Sequence, residues 1–260
     1  MTVAQRLRAS TVDERLAAMT EVVARGAADA DTLDALAGCL ADPRKIIQRR
    51  AAETFAALGA HCAHVRAVLV RTIGSQVARQ RWGAAYALSL LGDSPPVALP
   101  ALFEALGSSD GDVRWAAGNI LARLRGDNAL VEALQRLLTA GNAAQRKMAA
   151  YCLRDLEARS PAGDRALLAA LSDIDTYVRI AAISCIARLA MDRRAASRYL
   201  LNLLDDPNPS VRRVTAAALG LLGERSEAVQ AALTAASHSP DASLARAAER
   251  SLRLLSTAQH

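Results

Sequence analysis

The chain repeats itself at a nearly constant interval, and this interval limits the folds open to it. Segments beginning at Gln80, Val113, Val178 and Val211 read QRWGAAYALSLLG, VRWAAGNILARL, VRIAAISCIARLA and VRRVTAAALGLLG. In this register, position 0 of eight copies falls at Glu14, Ile47, Gln80, Val113, Gln145, Val178, Val211 and Leu244. Successive copies start 33 residues apart, except for one interval of 32. Such a period over most of 260 residues is typical of proteins that stack one small structural unit.

Each copy has the pattern of two α-helices. Positions 0, 4, 8 and 11 are mostly apolar, which puts one apolar stripe along a helix, as in Val113, Ala117, Leu121 and Leu124. Glycine at position 12 matches a helix C-cap in four copies, at Gly26, Gly59, Gly92 and Gly223. A shorter leucine pattern precedes this helix, and turn residues such as Asp206-Pro207-Asn208 join the two. One helix pair cannot bury both apolar faces, so we expect the pairs to stack into an all-α fold, an α-solenoid.

Each unit also resembles a HEAT-like repeat, most closely the short repeats of phycobilisome bilin-lyase-type proteins. The resemblance rests on an acidic or proline turn, Val-Arg, two small residues and Ala-Leu-Gly, as in DPNPSVRRVTAAALG, and it covers residues 11–257. It implies a right-handed superhelix of about eight two-helix repeats, forming one armadillo-like helical domain over residues 1–260. The second helices would start near residues 14, 47, 80, 113, 145, 178, 211 and 244 and would line the concave side.

Arginine recurs at position 1 of six copies. In repeats of the resembling type this arginine meets an aspartate six residues earlier, and the pairs Asp173/Arg179 and Asp206/Arg212 keep that spacing. We predict a charge-assisted hydrogen bond there, which would tie each turn to its helix. The arginines at position 1 are therefore interpreted as structural and not as a basic binding ladder.

Positions 2, 6 and 9 of the second helix point away from the buried stripe and are the candidates for function. Both tryptophans, two of the four tyrosines and seven basic residues fall there, with Glu53 as the one acid. The predicted partner-binding residues are Trp82, Tyr86, Trp115, Asn119, Lys147, Tyr151, Arg154, Arg49 and Arg213, and the remaining basic residues are Arg246, Arg250 and Arg253. Exposed aromatic side chains flanked by basic groups are typical of a binding groove. The alternative is that the two indoles fill space between alanine-rich helices.

Composition and charge narrow the class of protein. A hydrophobic content of 52% excludes a disordered chain. The sequence has no apolar run of about 18 residues, so it predicts no membrane span. The net charge of +6 permits an acidic protein, a nucleic acid or an anionic surface as partner. The first residues lack the apolar region of an export signal, and four cysteines do not form a disulfide framework. We expect a cytoplasmic monomer whose thiols are reduced, with Cys39, Cys152 and Cys185 packed inside.

Residues that carry chemistry are scarce. His61 and His64 flank Cys62, but this cluster cannot complete a tetrahedral metal site without further ligands. The sequence contains no phosphate-binding glycine loop, no nucleophile elbow and no His-Glu pair of the kind a HEAT-type metal hydroxylase needs. We therefore predict no catalytic residue, no metal and no cofactor. The predicted function is a non-catalytic scaffold or adaptor that holds an acidic or extended partner protein in its concave groove.

Two alternatives stay open at this point. One is a nucleic-acid-binding helical-repeat protein, similar in architecture to alkylation-repair DNA glycosylases, which use a basic concave face with tryptophans and an aspartate. In this chain no carboxylate follows either tryptophan, and Glu53 lies a repeat away. The other is an accessory lyase or chaperone for chromophore or cofactor attachment, which rests on the repeat type alone.

Overall fold

The computed structural model describes residues 1–59, 62, 64–92, 95–124 and 127–257, and within these ranges the chain is helical without strands. Short 3₁₀ turns at Pro96–Ala98 and Asn202–Asp205 accompany the α-helices. The α-helices are α1 Val3–Leu7, α2 Val12–Arg25, α3 Ala30–Cys39, α4 Lys45–Gly59, α5 His64–Ile73, α6 Ala78–Leu90, α7 Leu99–Ala105, α8 Gly111–Ala122, α9 Asn128–Ala140, α10 Ala143–Asp155, α11 Pro161–Ala170, α12 Thr176–Leu189, α13 Arg193–Leu201, α14 Pro209–Leu222, α15 Glu227–Ser237 and α16 Ala242–Thr257. The prediction of an all-α fold built from eight helix pairs is confirmed.

The even-numbered helices are the predicted second helices, and each begins two residues before its position 0. In α12 the apolar stripe of Val178, Ala182, Ile186 and Leu189 is buried. Asp175 begins this helix because its side chain accepts hydrogen bonds from the next backbone N–H groups. In α14 a glycine in the left-handed conformation, Gly223, ends the helix, as its position 12 predicted.

The helices group into two compact units, Met1–Ala105 and Leu106–His260. In the first unit α2, α4 and α6 pack against one another in order. In the second unit α8, α10, α12, α14 and α16 do the same, while α9, α11, α13 and α15 form a second layer. The second unit therefore presents five consecutive second helices side by side.

The arginine at position 1 does bond to the aspartate six residues earlier, but through the main-chain carbonyl of that aspartate. Arg179 donates to the Asp173 carbonyl at 2.8 Å, and Arg212 donates to the Asp206 carbonyl at 2.9 Å. The carboxylate binds the arginine of the preceding repeat instead, as in Arg146 with Asp173 and Arg179 with Asp206. These aspartate side chains thus face back along the stack, and Arg146 and Arg179 each join their own turn to the turn of the following repeat. Arg81 pairs instead with Glu104 of α7.

Candidate functional site

Five side chains of α8, α10 and α12 form two neighbouring groups, called here together the aromatic strip: Trp115, Tyr151 and Arg154 in one, and Lys147 and Tyr177 in the other. The rings of Trp115 and Tyr151 stack across two helices, with centroids 5.8 Å apart and planes inclined by 15°. The Arg154 guanidinium carbon lies 4.8 Å from the Tyr151 ring centroid, and Lys147 Nζ lies 5.6 Å from that of Tyr177. Aromatic and cationic side chains of three consecutive helices therefore contact one another, and Lys147 and Tyr151, four residues apart on α10, place the two groups side by side.

The repeat register explains how these side chains meet. Trp115 is at position 2 of α8 and Tyr151 at position 6 of α10, so the stack spans one helical turn as well as the gap between helices. That gap is narrow because Ala117 and Ala149 are buried there, and because a Cβ on Gly118 would lie 3.0 Å from Met148 Cε. Small side chains below the surface thus bring the large rings together above it.

The aromatic strip is open to solvent at both ends. Trp115 is 51% exposed and Tyr177 is 66% exposed, while Tyr151 between them is half-buried. A tryptophan held by stacking and still half exposed is the kind of residue that anchors a protein interface. The exposure expected of Trp115 is therefore met in the structure.

The charges within the strip are partly compensated. Arg154 Nε donates to Asp155 Oδ1 at 2.8 Å, and this hydrogen bond raises the pKa of the guanidinium. Burial raises the pKa of Tyr151, so its hydroxyl stays neutral at physiological pH. Because Arg154 and Lys147 already lie over tyrosine rings, the strip is poorly suited to a cationic ligand. It offers a partner apolar surface and N–H donors.

Four exposed arginines lie on α14 and α16 of the same unit and are called here the arginine cluster: Arg213, Arg246, Arg250 and Arg253. They occupy positions 2, 6 and 9, as do four of the five residues of the aromatic strip. Among the described residues no carboxylate lies within 4 Å of any of them. Within the described ranges the one hydrogen bond of the Arg246 side chain goes to the Ser243 hydroxyl, at 3.5 Å. The arginine cluster is thus a concentration of positive charge whose guanidinium groups have no carboxylate at ion-pair distance in the described ranges.

Between the aromatic strip and the arginine cluster, positions 6 and 9 of α12 and α14 carry small residues, called here the floor: Ser184, Ala187, Ala217 and Gly220. Position 2 carries Ile180 on α12 and Arg213 on α14. The Ser184 hydroxyl donates to the Ile180 carbonyl at 2.9 Å, so it is satisfied within its own helix. Gly220 is buried because Ser251 of α16 packs directly against it. The floor is uncharged and low. The surface formed by the strip, the floor and the arginine cluster is the candidate site of the second unit and is called here the docking face.

Three predicted site residues lie in the first unit and do not form such a surface. Trp82 is only 9% exposed and stacks on Tyr86 of its own helix, with centroids 5.5 Å apart. The expected exposure of Trp82 is therefore wrong, because its indole fills space beside the small residues of α6, as the packing alternative held. Arg49 forms an ion pair with Glu53 at 3.0 Å, and Arg50 lies 3.7 Å from the same carboxylate.

The structure thus brings together Trp115, Lys147, Tyr151 and Arg154, with Asn119 exposed on α8 beside them and Arg213 at the opposite end of the docking face. Tyr177 was missed by the sequence reasoning. It is at position −1 of its helix, and positions −1, 2, 6 and 9 form one helical stripe. Extending the stripe by one turn would have found it.

Groups able to carry metal or thiol chemistry are sparse in the described ranges. Within the described residues no three His, Cys, Asp or Glu side chains are grouped to hold a metal ion. His61 lies outside the described residues, and His64 is exposed. Cys39, Cys152 and Cys185 are buried, as predicted. None of the described helices has the length and hydropathy needed to cross a membrane.

Comparisons with known proteins agree with this architecture. A family model described as HEAT repeats matches residues 33–117 and 164–253. No curated protein sequence matches the chain. Among solved structures, YibA from E. coli has 19% identity and a TM-score of 0.60, and the match covers 96% of this chain and 91% of that protein. Importin beta has 14% identity and a TM-score of 0.62, and the match covers 97% of this chain and 40% of that protein. At these identities the likeness concerns the fold alone.

Proposed function

This chain belongs to the HEAT-repeat family, and from that premise we propose that it is a non-catalytic scaffold whose docking face holds an acidic or extended polypeptide. The observation that carries the proposal is the half-exposed indole of Trp115, fixed by its stack on Tyr151. A partner that covers the exposed half removes about 100 Å² of apolar surface from water, worth roughly 2.5 kcal/mol. Because the ring is already ordered, little conformational entropy is lost on binding.

The arginine cluster supports an acidic partner. Guanidinium groups bind carboxylates with two parallel N–H···O bonds, and none of these four has a carboxylate within 4 Å in the described ranges. Complementary charge raises the association rate and selects among partners more than it raises affinity. The aromatic strip would supply affinity, and the arginine cluster would supply selectivity. We propose further that the scaffold acts as a cytoplasmic monomer, in keeping with its predicted reduced thiols.

The nucleic-acid alternative is favoured by the same arginine cluster and has its own test. If the four arginines neutralise phosphates, log affinity for a DNA duplex falls with log salt at a slope of about 3.6. Base excision has less support, because Glu53, the one acid at the predicted positions, is ion-paired with Arg49. No feature of the described residues favours a role in chromophore or cofactor attachment.

The direct test is partner capture from a native extract with a matched pair of variants. Tyr199 of α13 is also aromatic and also 51% exposed, but it lies in the layer of first helices. Trp115→Ala is expected to abolish capture of the partners held by the wild type, with unchanged helicity. Tyr199→Ala is expected to retain them. Equal loss in both variants, or none in either, would refute the proposal.

A further inference from the structure

We infer that the segment bound on the docking face is bipartite, with an apolar anchor at one end and an acidic stretch at the other. This inference rests on the proposed function and specifies its partner. It follows from the polarity of the docking face, since aromatic rings are concentrated on α8, α10 and α12, and cations without carboxylates on α14 and α16. The floor between them offers neither charge nor bulk.

The register of the repeats sets the distance between the two parts. Tyr151 and Arg250 both occupy position 6, on α10 and α16, and are separated by three helix-to-helix steps. At about 8–10 Å per step, the two side chains stand roughly 24–30 Å apart. An extended polypeptide advances about 3.3 Å per residue, so about eight residues separate the anchor from the centre of the acidic stretch.

The anchor is apolar because the tyrosine rings of the strip are already in contact with cations of this chain. Arg154 and Lys147 already lie over the rings of Tyr151 and Tyr177. A lysine or arginine of the partner would meet these cations at close range, which disfavours it. A leucine or phenylalanine side chain, in contrast, would cover the exposed part of Trp115 and displace water from it.

The acidic stretch is assigned to carboxylates because four of the six cations of the docking face, the arginine cluster, lie at one end. The other two, Lys147 and Arg154, already lie over tyrosine rings. A nucleic-acid strand carries a phosphate on every nucleotide and would place several of them on the uncharged floor. A polypeptide can place its carboxylates only where the arginines are. Arg246, Arg250 and Arg253 follow one another on a single stripe of α16, which suits two or three acidic side chains in succession.

Fluorescence anisotropy with synthetic peptides tests the inference. The probe peptide carries phenylalanine, a glycine-serine spacer of about eight residues and a glutamate tetrad, and the comparison peptides have a spacer of about three residues, glutamine in place of glutamate, or lysine in place of phenylalanine. At roughly 50 mM salt the probe is expected to bind the full chain about tenfold more tightly than each comparison peptide. Equal affinity for the glutamine peptide, or tighter binding of a thymidine oligonucleotide that competes with the probe, would overturn it.

A charge-matched pair of variants locates the acidic end. Arg250→Gln with Arg253→Gln is expected to weaken the probe by about tenfold and leave the glutamine peptide unchanged. Arg136→Gln with Arg165→Gln removes the same charge from exposed residues of α9 and α11, in the other layer, and is expected to have little effect. Equal weakening by both pairs would mean unspecific attraction and contradict the inference. If no peptide binds while capture still depends on Trp115, the bipartite partner is wrong and the scaffold proposal stands.

Discussion

Arg146 and Asp173 form a bidentate ion pair between consecutive repeats of the second unit, with Nε–Oδ2 and Nη2–Oδ1 distances both 2.7 Å. The same guanidinium donates to the Gly141 carbonyl at 2.9 Å, and Asp173 Oδ1 accepts from the Asp175 N–H at 2.9 Å. One pair therefore joins the turn before α10 to the turn before α12. Arg179 and Asp206 form a similar ion pair one repeat later, in which Nη2 donates to Oδ1 at 3.1 Å.

Asp173→Asn is expected to lower the free energy of unfolding by about 2–4 kcal/mol, because it leaves the largely buried Arg146 guanidinium without its counter-charge. Urea denaturation followed by circular dichroism measures the effect. The control is Glu132→Gln, which removes the exposed pair of Glu132 with Arg136 and should change stability by less than about 0.5 kcal/mol. Equal effects would mean that the inter-repeat pair has no special weight.

Stability is expected to fall in acid. The Arg146 guanidinium hydrogen-bonded to Asp173, and that of Arg44 to Asp42, hold the pKa of each carboxyl below its ordinary value. A folded-state pKa below the unfolded value gives stability that is complete above the unfolded pKa, about 3.9 for aspartate, and is lost as pH falls through the folded one. Chemical denaturation should therefore give constant stability from about pH 7 to 5 and a decline below about 4. A smaller acid decline is expected in Asp173→Asn, and an identical one would contradict the assignment.

Two glycines of the first unit are expected to respond in opposite ways to alanine. A Cβ on Gly83 would lie 2.8 Å from Leu40 Cβ and 3.0 Å from the Leu40 carbonyl oxygen, so Gly83→Ala pushes α6 away from α3. Such overpacking costs about 1–3 kcal/mol. A Cβ on Gly38 meets nothing within 4 Å, and Gly38→Ala should raise stability by about 0.5 kcal/mol through helix propensity. Thermal unfolding of the pair gives both signs, and a stabilising Gly83→Ala would disprove the close approach.

The four thiols are expected to react with a disulfide reagent in two classes. Burial raises the pKa of Cys39 to about 11 and those of Cys152 and Cys185 to about 12, which leaves almost no thiolate at neutral pH. Cys62 is partly exposed. A titration under native conditions should therefore modify one thiol per chain quickly, and Cys62→Ser should remove that phase. Rapid modification of a second thiol would contradict the packing of α3, α10 or α12.

The period of 33 residues was enough to predict the helix pairs, their starting positions and the buried stripe, because each of these depends on local pattern. The exposure of the two tryptophans was not predictable in this way, since both occupy position 2. Trp82 has Tyr86 at position 6 of its own helix and stacks on it, whereas Trp115 has Asn119 there and turns to Tyr151 of the next helix. The difference depends on which residues the neighbouring repeat supplies.

Which aspartate carboxylate each arginine binds was not predictable for the same reason. Arg179 lies six residues after Asp173 and 27 residues before Asp206, and spacing alone favoured the nearer carboxylate. Stacking of the repeats places the farther carboxylate beside the arginine, because each turn faces the helix of the preceding repeat. Contacts between repeats depend on how the units stack, which a pattern within one repeat does not contain.

The most direct test of the docking face is site-specific photo-crosslinking in a native extract. In one variant a photoreactive phenylalanine analogue replaces Asn119, which is exposed beside Trp115. In a second variant it replaces Tyr199, which is exposed on the other layer. We expect protein adducts from position 119 that disappear with Trp115→Ala, and few from position 199. Adducts of equal yield from both positions, or adducts at 119 that persist without the indole, would contradict the account.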